Sequence, residues 1–386
     1  MRAIMIQILR RTSLTVLLLL LLPHATQSHD KKNSATTSAT AVKADATYRT
    51  LKPCLRYNRE YNLAYPVDAE EHYAELLMRT AAYRNQPVHM GSAHYNGTWI
   101  EDQFIRRFMD KPLSFFSGLF PLFVQWSDYG FVARTRGQSQ AQAFEPLRKF
   151  LRPDVLYVAV SQANNGLEFL HLADPNVVVL SAGGDGSIPI PLIKGTLEYM
   201  PPPASFSVNI GFYGSPEHGP RGKIISEMDA AVKAEVPKWV YFVGPHKRWM
   251  EQMGSTAFNL APRGFGRASF RLAEIIQLGR IPVYLYDDAP WAPYERSALS
   301  VDHVGYKGKL GHLGELVRML AAQSNATIYE KLRRVQTARP HYTLEGTLDQ
   351  IDLFFQDPLG ERGGALTCRK HVHITEHKAS VLDINL

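Results

Sequence analysis

The chain has 386 residues, of which 45% are hydrophobic, 11% aromatic and 20% charged, a composition that excludes both a disordered polymer and a multi-span membrane protein. One hydrophobic core stops growing near roughly 250–300 residues, so two domains are expected. The net charge of +7 and the pI of 9.2 favour anionic partners, but Lys and Arg are scattered and no zinc-finger, RNA-binding or basic-zipper pattern occurs, which argues against nucleic acid.

In chain order, Arg2, Arg10 and Arg11 precede an apolar run at 14–22 that ends at Pro23. The run is well short of the roughly 20 residues that span a bilayer. A cleaved signal peptide over 1–28, with small residues near Thr26 and Ser28, is therefore preferred; a short type II anchor with its arginines left in the cytoplasm is the other reading. Residues 29–50 are Ser, Thr, Ala and Lys with almost no large apolar side chains, which reads as a disordered stem. The globular part is expected from Leu51. Sequons at Asn96 and Asn325 agree with a secretory-pathway fate. Cys54 and Cys368 are the only cysteines, either bonded across the two ends of the fold or two buried thiols.

In the amino-terminal half, 68–85 and 141–151 have helical spacing and 122–126 is strand-like. Residues 155–160 and 177–180 are β-branched runs bounded by Pro, Gly and Asn, as buried parallel strands are. The carboxyl-terminal half alternates strictly. Strands are expected at 207–213, 239–243, 257–260 and 281–286, and helices at 221–234, 246–253, 266–278 and 311–323. That pattern predicts an α/β fold with an open parallel sheet covered on both faces. Ligands of such sheets bind beyond the carboxyl ends of the strands.

The turn after the strand at 257–260 is the informative stretch. Gly264 and Gly266 allow close backbone approach, and the following helix offers free amides and a dipole to an anion. Arg267, Arg271 and Glu274 follow at helical spacing, an order that suits a nucleotide sugar: arginines for a diphosphate, a carboxylate for ribose hydroxyls. On spacing alone, a plain Arg–Glu pair on a solvated face is the slightly better reading.

Three stretches resemble the exostosin family signature, that of glycosyltransferase family 47. They are Phe258-Asn259-Leu260-Ala261-Pro262-Arg263-Gly264, Ser269-Phe270-Arg271-Leu272-Ala273-Glu274, and 277–285. Asp287 or Asp288, Trp291, Pro293 and Tyr294 continue the likeness, and Gly211-Phe212-Tyr213-Gly214 with Gly219-Pro220-Arg221 precede it, so that it covers roughly 208–294. The resemblance implies two Rossmann-like domains facing a cleft (the glycosyltransferase-B type), with parallel sheets: 51–203 on the acceptor side, 204–340 binding the nucleotide sugar, and 341–386 a carboxyl-terminal helix and tail packing back across the first domain. It implies an inverting, metal-independent glycosyltransferase of the Golgi lumen, type II anchored or soluble after signal cleavage. The donor is a nucleotide sugar, with uridine the family expectation; the acceptor is a polysaccharide or glycoprotein glycan, and no cofactor is needed. Arg263, Ser269 and Arg271 would hold the diphosphate, Glu274 the ribose, and Gly264 the close backbone approach. Arg267 matches no family ligand. Because some members work in pairs, a second glycosyltransferase is an implied partner, as a hetero- or homo-oligomer, and a catalytically silent glycan-binding or partner subunit is the alternative function.

Residues 160–166 and 181–191 look like a divergent form of the family's acceptor-side loops and are expected at the cleft. Inversion needs one general base. Asp128, Glu168, Asp185, Asp287 and Asp288 are candidates, and the sequence does not choose among them. His371, His373 and His377 lack a zinc-type pattern, so no metal is expected. Neither a Gly-x-Ser-x-Gly elbow nor a phosphate loop occurs, and 264–269 lacks the third glycine of a dinucleotide fingerprint.

Overall fold

The structure, a computed structural model, describes residues 30–55, 62–84, 99–164, 166–167, 176–217, 220–358, 360 and 364–369. The leader at 1–28, His29, the sequon at Asn96, Asn165, Glu168, Gly219 and the histidines at 371, 373 and 377 lie outside the described residues. Among the described residues no helix is long and apolar enough to cross a membrane. Residues 1–41 and 42–386 separate into two units, and both sheets belong to the second.

The first sheet has strands β1 (Phe120–Leu122), β2 (Tyr157–Ser161), β3 (Val177–Ser181) and β4 (Ile188–Pro189), all parallel and in that order. Every residue of β2 and β3 is buried, as continuous β-branched runs require when a parallel sheet is covered on both faces. The second sheet comprises β5 (Val208–Tyr213), β6 (Tyr241–Gly244), β7 (Thr256–Pro262), β8 (Ile281–Tyr286) and β9 (Tyr306–Lys309), parallel throughout and ordered β6-β5-β7-β8-β9. This α/β architecture with two parallel sheets is the expected fold class.

One face of the second sheet carries its own core. There the helices Arg221–Glu235 and Leu313–Ala321 bury Ile224, Met228, Leu313, Leu316, Val317 and Leu320 against Ile210, Phe258 and Val283. The apolar positions 313, 316, 317 and 320 follow the spacing of one helix stripe. The other face presents Tyr213, Ala261 and Tyr284, with Leu272, Ala273 and Ile276 of the helix Phe270–Gln277, to the same core that the first sheet builds.

Several elements differ from expectation. Residues 29–50, expected as a disordered stem, are helical from Asp30 to Leu51, and Ala44, Thr47 and Tyr48 in its last turns are buried. Tyr48 Oη donates to Gly118 O at 2.9 Å, so small residues here serve close packing rather than solvation. The strand expected at 122–126 lies at Phe120–Leu122, because Gln125 N turns away to Tyr83 O at 3.1 Å and Trp126 opens the helix Trp126–Thr135.

The helix Leu344–Gln356 packs on the first-sheet side, where Phe355 meets the rings of Phe104, Phe108, Phe115 and Phe116. Arg107 of the helix Ile100–Phe108 ion-pairs with Glu345 at 2.9 Å and Asp349 at 2.6 Å. Cys54 and Cys368 form a disulfide, which selects between the two readings of the cysteine pair.

Candidate functional site

The chain runs from β5 to β6 on one side and then crosses to β7 on the other, so strand order reverses between β5 and β7. A crevice opens beyond the carboxyl ends of two strands at such a reversal. Here those ends are Gly214 and the turn 263–269.

Ser269 caps the helix Phe270–Gln277 in extended conformation (φ −141°) yet makes no side-chain capping bond. It is 3% exposed, and among the described residues its Oγ has no hydrogen-bond partner. Buried hydroxyls are normally satisfied, so an unpartnered one beside the free amides of a helix start marks a position for an acceptor oxygen. Arg271, two residues on in the first turn of the helix, lies beside Gly214, where an added Cβ would sit 3.7 Å from its Nη2. Its guanidinium carbon stacks 4.3 Å from the centre of the Trp249 ring, its Nη1 pairs with Glu274 Oε2 at 2.9 Å, and the same Nη1 contacts Met253 Sδ at 3.4 Å. Burial lowers the pKa of Arg271, and the Glu274 carboxylate opposes that shift.

Arg263 points elsewhere. Its Nη1 pairs with Asp287 at 3.0 Å and Asp288 at 3.4 Å, both just past β8, while Arg267 Nε takes Asp288 Oδ2 at 2.7 Å. Burial alone would raise Asp288, but the Ala289 N–H and the Arg267 guanidinium outweigh it and hold that carboxyl below its ordinary range. The expected diphosphate clamp of Arg263 with Arg271 is thus two arginines with separate partners. Arg271 and Glu274 adopt the plain pair that their spacing allows.

The helix starts at Phe270 rather than 266, which takes Arg267 off the face it was expected to share with Arg271 and Glu274. The cause is the turn's contact with the first sheet. Ala268 N donates to Gly183 O at 3.2 Å, and a Cβ on Gly266 would lie 2.1 Å from Gly183 O and 2.5 Å from Asn164 O. Gly266 is therefore required by backbone packed on backbone, not by a ligand. Gly264 differs: an added Cβ would first meet Arg221 Nη2 at an ordinary 3.6 Å. Asn164 and Gly183, from the loops after β2 and β3, meet this turn, and Trp291 Nε1 fastens the seam by donating to Ser181 O at 3.1 Å.

Four residues were missed by sequence reasoning. Arg221, noted only as a helix start, donates to Arg263 O at 2.9 Å and Pro262 O at 3.3 Å, capping the end of β7. Trp249 and Met253, which stack on and touch Arg271, carry no local signal of that role. Glu101 is 1% exposed; it accepts from Ser127 N and Gln162 N, both at 2.8 Å, and burial pushes its carboxyl up to about 8 despite those bonds. Only a residue map of the folded chain reveals it. Of the base candidates, Asp128 is fully buried with its Oδ1 accepting from Trp99 Nε1 at 3.2 Å, whereas Asp185 and Asp287 are half-buried and Asp288 exposed. Among the described residues no group of three or more His, Cys, Asp or Glu side chains is disposed to hold a metal.

No family model matches the chain, and no curated protein does. Among solved structures it is similar to a GtfA/B complex (12% identity, 52% of this chain and 46% of that one, TM-score 0.34). It is also similar to TarM (11%, 56% and 53%, TM-score 0.33). A third likeness is an alpha-glucosyltransferase in complex with UDP and a 13-mer DNA containing a HMU base (10%, 55% and 75%, TM-score 0.31). The chain spans about half the length of the first two. Scores this low assign no family.

Proposed function

We propose that the chain is a glycosyltransferase of the exostosin kind, binding a nucleotide sugar at the carboxyl ends of β5 and β7 and transferring the sugar to a glycan acceptor with inversion. The observation that carries this reading is the buried, unpartnered Ser269 hydroxyl at a helix start, located at the strand-order reversal and within the signature-like stretch 258–285. The donor diphosphate would meet the Ser269 hydroxyl, the first amides of the helix and Arg271. Binding requires Arg271 to exchange part of its contact with Glu274 for phosphate, and Glu274, once released, would face the ribose hydroxyls. Negative charge on the departing diphosphate would be stabilised by those preorganised donors, without a metal. Arg263 would act from the rim, where Asp287 and Asp288 already hold it.

The alternative, a catalytically silent partner or glycan-binding subunit, is favoured by one fact: Arg263 and Arg271 both have carboxylate partners within the chain. One experiment separates the two. The purified chain is offered UDP- and GDP-sugars with glycan acceptors, and nucleoside diphosphate release is measured beside Arg271→Ala with its folding verified. Donor-specific release that the variant loses supports the transferase. Absence of both release and nucleotide binding removes the donor site, and nucleotide binding without release selects the silent partner. Location in the Golgi lumen and membrane anchoring belong to the same proposal and are tested by localising the full-length chain in cells.

A further inference from the structure

Away from the strand ends, a cavity of about 400 Å³ opens beside the disulfide, with Cys368 in its wall. Its size falls in the range of roughly 300–1,000 Å³ that small-molecule sites occupy. Leu51, Phe354 and Leu366 supply apolar walls, Thr367 a hydroxyl, and Arg296 and Arg369 two positive charges. Arg369 is the unusual member. It is half-buried and its guanidinium carbon stacks 5.2 Å from the centre of the Trp291 ring, while its backbone N–H donates to Ser187 O at 3.1 Å. Among the described residues its guanidinium has no hydrogen-bond acceptor and no ion-pair partner; Arg296 has none either.

A guanidinium carries donors in a fixed planar fork matched to carboxylate, sulfate or phosphate. Withdrawn from water without acceptors, those donors cost free energy that stacking on an indole only partly offsets. Burial lowers the pKa of Arg369; the nearby Glu295 opposes that shift, Arg267 adds to it, and Asp185 opposes it. Other arginines without a carboxylate partner among the described residues, such as Arg134 and Arg136, are exposed to water, as Arg296 is. Arg369 is half-buried without one, and with Arg296 on the wall of the same cavity it offers a receptor for negative charge.

We propose that this cavity binds an anionic small molecule, its oxyanion group held by Arg369 and Arg296 and its body seated against Leu51, Phe354 and Leu366. The shared ligand chemistry is a single carboxylate, sulfate or phosphate on a compact body, carried by a sugar acid or by an aromatic or aliphatic acid. The site uses none of the residues assigned to the nucleotide sugar, so it stands independently of the transferase reading.

Isothermal titration of the full chain with glucuronate and with benzoate tests it. Saturable binding of at least one is expected, glucuronate where the walls accept a sugar and benzoate where they accept a ring. Neutral glucose should bind at least tenfold more weakly. Arg369→Ala should weaken binding of the anion at least tenfold, and Arg369→Lys nearly as much, because an ammonium lacks the planar fork. Arg369→Lys also serves as the comparison in case the alanine variant does not fold. If neither anion binds saturably, or if both Arg369 variants bind as tightly as the parent, the proposal is overturned.

Discussion

The Arg271 guanidinium is sandwiched between the Trp249 ring, 4.3 Å from its carbon, and the Glu274 carboxylate, 2.9 Å from its Nη1. Both charged side chains are largely withdrawn from solvent, 16% and 13% exposed. Removing one member of such a pair leaves the other buried and uncompensated, which costs about 3 kcal/mol or more. Arg271→Ala should therefore destabilise the chain by about that amount in chemical denaturation, while the double variant with Glu274→Ala should cost less than Arg271→Ala alone. Simple additivity of the two losses would mean that the pair is not coupled.

The two glycines of the turn make opposite predictions. A Cβ on Gly266 has backbone atoms at 2.1 and 2.5 Å, and backbone does not swing aside as a side chain does, so Gly266→Ala should cost about 1–3 kcal/mol in urea unfolding. Gly264→Ala meets nothing closer than 3.6 Å and, with no left-handed φ to lose, should stay within about 0.5 kcal/mol of the parent. If the proposed donor site is right, titration with UDP should still detect the Gly264 change as weaker binding, because the added methyl would stand where the donor phosphate is proposed to approach.

Glu101 predicts a pH dependence. Its carboxyl lies near 4.5 when unfolded and about 8 when folded, raised by burial. The unfolded chain therefore gives up this proton at lower pH than the folded one. The contribution to stability is complete below about 4.5, declines as pH rises, and is lost above about 8, a total on the order of 5 kcal/mol. Between pH 5 and 8 the unfolding free energy of the parent should fall relative to that of Glu101→Gln. Parallel pH profiles would contradict the assignment.

The Cys54–Cys368 bond closes a loop with a sequence separation of 314 residues. Chain-entropy reasoning assigns a loop of this length about 5–6 kcal/mol, with engineered examples often delivering less. Cys368→Ser should lower unfolding free energy by about 2–5 kcal/mol, and reducing agent should lower the parent toward the variant without affecting the variant itself. An equal effect of reductant on both proteins would mean that the bond is not what it acts on.

How much was legible varied with the kind of residue. β2, β3, β7 and β8 are apolar runs buried on both faces, and such runs announce themselves. β9 was missed because Tyr306-Lys307-Gly308-Lys309 is a polar edge strand, held by pairing with β8 alone. β4, two residues long, leaves no pattern to read. At the candidate site, Arg271 and Glu274 were singled out by helical spacing and Ser269 by the family resemblance alone. The partners that define them, Trp249 for Arg271 and Gly183 for Gly266, are tertiary neighbours with no local trace. The late helix start has the same origin: Gly266 and Arg267 are committed to packing against residues from the other sheet.

The aromatic cluster around Phe355 also has a temporal meaning. Phe104, Phe108 and Phe116 are among the earlier parts of the chain to be synthesised, yet they find their closing ring only when the helix Leu344–Gln356 has been made. While the ribosome is still adding the second sheet, these rings lack the one that covers them. The amino-terminal layer is thus begun first and completed last, and a nascent chain stalled before Leu344 would expose apolar rings that the whole chain buries.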